Sequence, residues 1–307
     1  MGYDHEALFL CLAFVCYQLH LTVTNIKENL NLAKEMGLSD RLAAEVWLAH
    51  LIVKDRAFIF ANEDLELDTK TVQQFLEGVQ EMAAGRPLSQ LTGYKEFYGL
   101  DFLVNEKVLI PRPESELLVD LVRQFLNTHS YGGKLLIADI GTGSGCILLA
   151  ILKSLGFGKG IGVEISGEAL KVAKENAVRL GLLEQVTWLE GDLLDSLDQP
   201  VNIMVANLPY IGRKTFHYIA DNVARYEPEV ALYGGDDGLD LYRKLFEQIN
   251  GKSWQPDFLA GEFGFGQQEA MEKLLEQYFG SQKWKVIPDL AGIPRVFVVE
   301  FGSPKNV

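Results

Sequence analysis

The sequence predicts an α/β protein: a doubly wound, mainly parallel seven-stranded sheet, preceded by a small all-helical domain and a β-hairpin connector. Three observations predict it. Apolar strand patterns alternate with helical ones from residue 135 to residue 301, which implies helices covering both faces of a parallel sheet. Before Ala84 apolar residues fall at helical spacings, and between Gly85 and Pro113 that pattern gives way to Gly, Pro, Thr and aromatic residues. A length of 307 residues, 48% hydrophobic and 23% charged, suits two soluble domains with ample core. The boundaries are expected at 1–88 for the helical domain, 89–113 for the connector and 114–307 for the sheet domain.

In chain order, the apolar run over residues 7–17 reads as a buried helix. It lacks a basic leader and is far shorter than the roughly twenty residues that span a bilayer. A membrane or export signal, or a translation start near Val23, are the alternatives. In the helical domain Leu42, Val46, Ala49 and Val53 mark an apolar stripe, and Thr24, Ser39, Asp68 and Thr71 are candidate N-caps. Residues 96–104 and 107–110 read as the hairpin strands, followed by an amphipathic helix over 115–127. Strands are then expected at 135–140, 161–165, 186–190, 203–206, 258–263, 284–287 and 296–301, with helices at 145–155, 167–180, 239–249 and 267–279.

Composition narrows the function. The 29 glycines have no period and the 10 prolines are scattered, so collagen-like and disordered architectures are excluded, and no internal repeat is present. A net charge of −14 argues against a general basic surface for nucleic acid and suits a basic protein partner. Cys11, Cys16 and Cys146 form neither a C-x-x-C pair nor a disulfide framework, as expected in a reducing cytoplasm. The five histidines, at 5, 20, 50, 129 and 217, show no metal-ligand spacing, and no metal is expected.

Sheets of this kind bind ligands at the carboxyl ends of their strands, and the candidate site residues fall there. Asp139-Ile140 leads into Gly141-Thr142-Gly143-Ser144-Gly145 between a strand and a helix, where glycines permit a tight turn and close approach to a ligand. The spacing meets neither the dinucleotide fingerprint nor a P-loop, which disfavours nicotinamide and nucleoside triphosphate cofactors. Glu164 ends the next strand, where a carboxylate accepts from ribose hydroxyls; Asp192 and Leu193 follow the third, placed to contact an adenine ring or an amino group. Alone, each is as readily a surface acid or a turn.

Asn207-Leu208-Pro209-Tyr210 follows the fourth strand. As an isolated tetrapeptide it is more often only a turn. Beside a glycine loop it suits a poorly nucleophilic amide or exocyclic amine, whose two N–H groups would be taken by the Asn207 side-chain oxygen and the Leu208 carbonyl. Tyr210 would pack on the flat acceptor. With a sulfonium methyl as electrophile the leaving group departs neutral, so catalysis is mostly alignment, worth about 7 to 11 kcal/mol.

These residues resemble those of class I S-adenosylmethionine-dependent methyltransferases, with a Rossmann-like sheet, and more narrowly the release factor glutamine N5-methyltransferase family. The likeness runs from about Thr24 onward, through Arg86-Pro87-Leu88-Ser89-Gln90, Glu96-Phe97-Tyr98-Gly99, Ile110-Pro111-Arg112-Pro113-Glu114, Tyr226-Glu227-Pro228 and Asp237-Gly238-Leu239. It implies that S-adenosylmethionine contacts Gly141, Thr142, Gly143, Ser144, Gly145, Glu164, Leu193 and Asn207. It also implies that Asn207, Leu208, Pro209 and Tyr210 receive a glutamine from the Gly-Gly-Gln loop of a release factor docked on the helical domain. The expected enzyme is cytoplasmic and monomeric, without membrane or direct nucleic-acid contact. Two positions depart from the family pattern: Glu164 stands for the usual Asp, and Leu208 for a proline whose carbonyl carries the role. The rivals are a ribosomal-protein glutamine methyltransferase, an rRNA adenine methyltransferase, to which Asn-Leu-Pro-Tyr is similar, and a cofactor-binding scaffold without activity. The role of Arg112 is bracing the connector or closing the cofactor site, with bracing preferred.

Overall fold

A computed structural model describes residues 25–131 and 134–302. The predicted helix over 7–17, the alternative start near Val23, the cap Thr24, and Cys11 and Cys16 lie outside the described residues. Contacts divide the chain after Thr92 into two units.

The first unit holds α1 (Ile26–Glu35), α2 (Arg41–Leu51), α3 (Arg56–Ala61), α4 (Thr69–Ala83) and α5 (Leu88–Thr92). The first four begin at Asn25, Asp40, Asp55 and Asp68, whose side chains accept from backbone N–H groups three residues on. Such a cap is worth about 1 kcal/mol. Of the predicted caps, Asp68 serves; Ser39 stands one residue before Asp40; and Thr71 lies inside α4, donating its hydroxyl to Asp68.

The predicted stripe is corrected by burial. Ala49 is buried as expected, but Leu42 is 49% exposed and Val53 86%, whereas Ala44, Trp47 and Leu48 enter the core with Ile26, Phe75 and Val79. Two apolar stripes overlap on α2, and Trp47 decides between them: its Nε1 donates to the Phe75 carbonyl at 3.2 Å. A Cβ on Gly78 would lie 2.2 Å from that nitrogen. Gly78→Ala, which at an open helical site gains roughly 1 kcal/mol, is therefore expected to cost about 1–3 kcal/mol here through overpacking. Urea unfolding of the full chain measures this, and a gain in stability would mean that the indole can move aside.

The second unit opens with a hairpin, β1 (Tyr94–Phe97) against β2 (Leu100–Leu103). Its two-residue turn is Tyr98-Gly99, with φ of 53° and 72°, the left-handed pair that matches strand twist. This corrects the predicted strands: the turn falls inside 96–104, and residues 107–110 form no strand. A tyrosine at the first turn position hid the signal that Asn-Gly usually gives.

A 3₁₀ turn, Pro113–Ser115, leads into α6 (Glu116–Leu126). The alternation then runs β3 (Leu136–Ile140), α7 (Cys146–Leu155), β4 (Lys159–Glu164), α8 (Gly167–Leu180), β5 (Val186–Glu190) and β6 (Ile203–Ala206). It continues through a short α9 (Asp221–Tyr226), α10 (Asp240–Gly251), β7 (Phe258–Glu262), α11 (Gln268–Phe279), β8 (Lys283–Pro288) and β9 (Pro294–Glu300). The seven-stranded sheet has the order β5-β4-β3-β6-β7-β9-β8, parallel except for β9. Consecutive residues face opposite layers. Ile137, Val205, Ala260 and Val298 meet α6 and α7, while Ala138, Met204, Leu259 and Phe297 meet α10 and α11. Both faces are covered, so the strands carry unbroken apolar runs. From β3 the chain winds one way through β4 and β5, then returns to place β6 on the other side. The crevice at that reversal is where such sheets bind ligands. Among the described residues no helix is long and apolar enough to cross a membrane.

Candidate active site

At the carboxyl ends of β3, β4, β5 and β6 lies a cavity of about 410 Å³. Gly141, Thr142, Gly143, Ser144, Glu164, Asp192, Leu193, Asn207, Leu208 and Pro209 line it. Of the residues expected around a cofactor, only Gly145 is missing from the lining. It starts α7 with φ of 81°, and a Cβ there would meet Leu149, Ala173 and Trp188 at 3.2–3.3 Å. Close helix–strand packing is its local requirement.

The glycine loop is tied down from below. Gly141 and Thr142 donate to the Val163 carbonyl at 2.8 and 3.0 Å, and Gly143 donates to Glu164 Oε2 at 2.9 Å. Glu164 Oε1 accepts from Ser166 N at 3.0 Å. Burial raises the Glu164 carboxyl, while the N–H groups of Ser166 and Gly143 pull it back. Gly143 has φ of 54°, and a Cβ there would meet nothing within 4 Å, so the loop leaves open space at that point. Beneath it, Asp139 Oδ2 accepts from Thr142 Oγ1 at 2.7 Å. Burial pushes the Asp139 carboxyl up to about 7, against the lowering effect of Thr142.

Asp192 is committed to an ion pair with Lys244 of α10, and both side chains are about two-fifths exposed. Leu193 is buried with φ of 55°, a left-handed conformation that costs a non-glycine residue on the order of 1–2 kcal/mol. Ile165, 54% exposed, and Val230, 53% exposed, add apolar surface to the lining.

Asn207 borders this cavity and a second of about 310 Å³, lined also by Tyr210, Phe216, Tyr218, Phe265 and Arg295. Its Nδ2 donates to Ser115 Oγ at 2.9 Å and to Glu262 Oε2 at 3.1 Å. Glu262 also accepts from the Ser115 hydroxyl at 2.6 Å and from Tyr210 Oη at 3.1 Å. Among the described residues, neither Asn207 Oδ1 nor the Leu208 carbonyl accepts a hydrogen bond, so both can take N–H donors. Burial raises the Glu262 carboxyl, opposed by Ser115, Tyr210 and Arg295; burial and the Glu262 charge raise the Tyr210 phenol. The Leu208 side chain is 2% exposed and lies over Gly141, where a Cβ would stand 2.9 Å from Leu208 Cδ2.

Ser115, Glu262 and Gln267 escaped sequence reading. Glu262 carried a usable signal: it is an acid at the carboxyl end of an apolar strand, the criterion that selected Glu164. Gln267 is fully buried, donating from Nε2 to the carbonyls of Tyr210 and Asp237 at 2.7 and 3.0 Å, which pins the loop after β6. Arg112 pairs with buried Glu227, whose Oε2 also accepts from Ile110 N at 2.9 Å. That clamp holds the segment before the 3₁₀ turn against the segment after the acceptor motif, and Arg112 also lines the glycine-loop cavity, so both expected roles stay open.

Residues 31–93 match the family described as PrmC N-terminal domain, and residues 137–226 match the methyltransferase domain family. A release factor glutamine methyltransferase of Bacillus cereus is 36% identical over 85% of this chain and 93% of its own length. One from Moorella thermoacetica is 39% identical over 84% of this chain and 90% of its own length. Among solved structures, the catalytic domain of human METTL16 in complex with a MAT2A 3′UTR hairpin aligns with a TM-score of 0.55 at 13% identity, covering 75% of this chain and 82% of that one. The N-terminal domain of human METTL16 in complex with SAH gives 0.51 at 17% identity, over 71% of this chain and 82% of that one. At such identities the likeness to these two structures concerns the fold.

Proposed function

The chain belongs to the release factor glutamine methyltransferase family, and from that premise we propose that it methylates the side-chain amide nitrogen of the glutamine in the Gly-Gly-Gln loop of a peptide chain release factor. The methyl donor in this reading is S-adenosylmethionine and the product residue is N5-methylglutamine. The observation that carries it is the state of the acceptor motif: the Asn207 amide nitrogen is spent on Ser115 and Glu262, and two oxygens without partners are left beside the glycine-loop cavity.

The residues fit a nucleoside-bearing cofactor. Gly143 leaves space that a Cβ would fill, Glu164 keeps lone pairs for ribose hydroxyls, and Ile165 offers an apolar face to a planar base. S-adenosylmethionine would be held by Gly141 to Ser144, Glu164 and Leu193, and it supplies an electrophilic methyl on a sulfonium. The chain's own part is alignment. Asn207 Oδ1 and the Leu208 carbonyl accept the two N–H groups of the glutamine amide, fixing the plane of the nitrogen and stabilising the positive charge that develops there. Tyr210, held through its hydroxyl by Glu262, lines the second cavity and limits where the flat amide can lie.

The helical domain is assigned to docking the factor, and an acidic enzyme steers a basic loop with a strength that falls as salt rises. The test is transfer of tritiated methyl from S-adenosylmethionine to purified release factor, to its Gly-Gly-Ala variant and to stripped ribosomal RNA. Label is expected in the first alone. Label in RNA, or equal label in the Gly-Gly-Ala variant, would overturn the assignment.

A further inference from the structure

We propose that Glu262, acting with Ser115, is the positioning residue that decides which end of the Asn207 amide faces the acceptor. The inference rests on the reading of Asn207 as partner of the substrate amide. A carboxamide is nearly symmetric in shape, so packing alone cannot choose between its oxygen and its nitrogen. The choice matters: a flipped Asn207 would present N–H groups to the N–H groups of the substrate and would repel the nitrogen it must hold.

The network removes that freedom. Ser115 has one hydroxyl proton, and it is donated to Glu262 Oε2 at 2.6 Å, so Ser115 Oγ shows only lone pairs to Asn207. Glu262 Oε2 is the second acceptor on the same Nδ2 group, at 3.1 Å. Turning the amide over would place Oδ1 against both oxygens. Glu262 and Ser115 are each 2% exposed, so neither oxygen is open to bulk solvent. The other carboxylate oxygen is occupied by Tyr210 Oη, and the backbone carbonyl of Glu262 accepts from the Tyr242 hydroxyl, so the residue is held at side chain and main chain alike. The sheet supplies the alignment: Ala206 of β6 pairs with Gly261 of β7, which brings the next residues, Asn207 and Glu262, side by side.

Two substitutions at one position separate direction from charge. Glu262→Met keeps bulk and removes both acceptor oxygens; Glu262→Gln loses the charge but retains one oxygen for Ser115 and Asn207, with its amine toward Tyr210. Glu262→Met is expected to lower kcat by about 10² through misalignment, with the affinity for S-adenosylhomocysteine, measured by calorimetry, unchanged. Glu262→Gln is expected to recover most of that loss. A second readout needs neither substrate nor cofactor: hydrogen exchange at the Asn207 side-chain amide, followed by NMR, should be slow in the native chain, fast in Glu262→Met and intermediate in Ser115→Ala.

Full activity in Glu262→Met overturns the proposal. So does a Glu262→Gln variant as impaired as Glu262→Met, which would mean that charge rather than direction is required. Should Glu262→Met fail to bind S-adenosylhomocysteine, Ser115→Ala decides: faster exchange with lowered kcat supports the lock, and native values for both overturn it. If the native enzyme does not label release factor at all, the functional assignment falls, while the exchange comparison still judges the lock.

Discussion

Asn207→Ala is expected to lower turnover on release factor by at least about 10², by analogy with removal of a single oriented hydrogen-bond group, while binding of S-adenosylhomocysteine stays near native. The substitution deletes Oδ1 and with it one of the two acceptors for the amide. It also frees Ser115 Oγ and Glu262 Oε2 from Nδ2. Ser115 and Glu262 keep their own hydrogen bond, and Tyr210 still donates to Glu262, so the buried carboxylate is not left unpaired. The loss should therefore fall on kcat rather than on stability. Steady-state kinetics with saturating cofactor, together with a thermal melt, measure the two separately. Native turnover in the variant would show that the acceptor amide is held by other groups.

Gly143→Val is expected to weaken cofactor binding by about 10² or more, and calorimetry with S-adenosylhomocysteine measures it. Two costs add. A β-branched residue at φ of 54° is strained by on the order of 1–2 kcal/mol. Relief by rotation of the peptide would break the Gly143 N–H bond to Glu164, the carboxylate assigned to the ribose. In addition, the side chain would occupy the open space at this position, bordering the cavity. The substitution lies in a loop above the core, so folding should survive; unchanged affinity would move the cofactor away from the glycine loop.

How much of this was legible follows from where the deciding information lies. The sheet was readable because its strands are buried on both faces and carry uninterrupted apolar runs, and because helix and strand periods differ. The glycine loop, Glu164 and Asn207 were readable because their placement at strand ends is local. The partners of Asn207 were not. Ser115 and Glu262 are 147 positions apart, and only the register of β6 against β7 brings the acid to the amide. The hairpin was misplaced because Tyr98-Gly99 closes it in place of a more familiar turn pair. On α2 both Leu42 and Leu48 satisfy a helical period; the bond from Trp47 to the Phe75 carbonyl, a tertiary contact, selects Leu48 for the interior.

The reversal of winding between β3 and β6 has an evolutionary corollary. Strands on one side of that seam carry the groups assigned to the donor, and strands on the other carry those assigned to the recipient. Beyond the paired strands themselves, Leu208 rests over Gly141. A change of recipient is thus open chiefly through β7 and its loop, because Asn207, Leu208 and Pro209 after β6 also line the glycine-loop cavity. The scaffold separates what is delivered from where it is delivered.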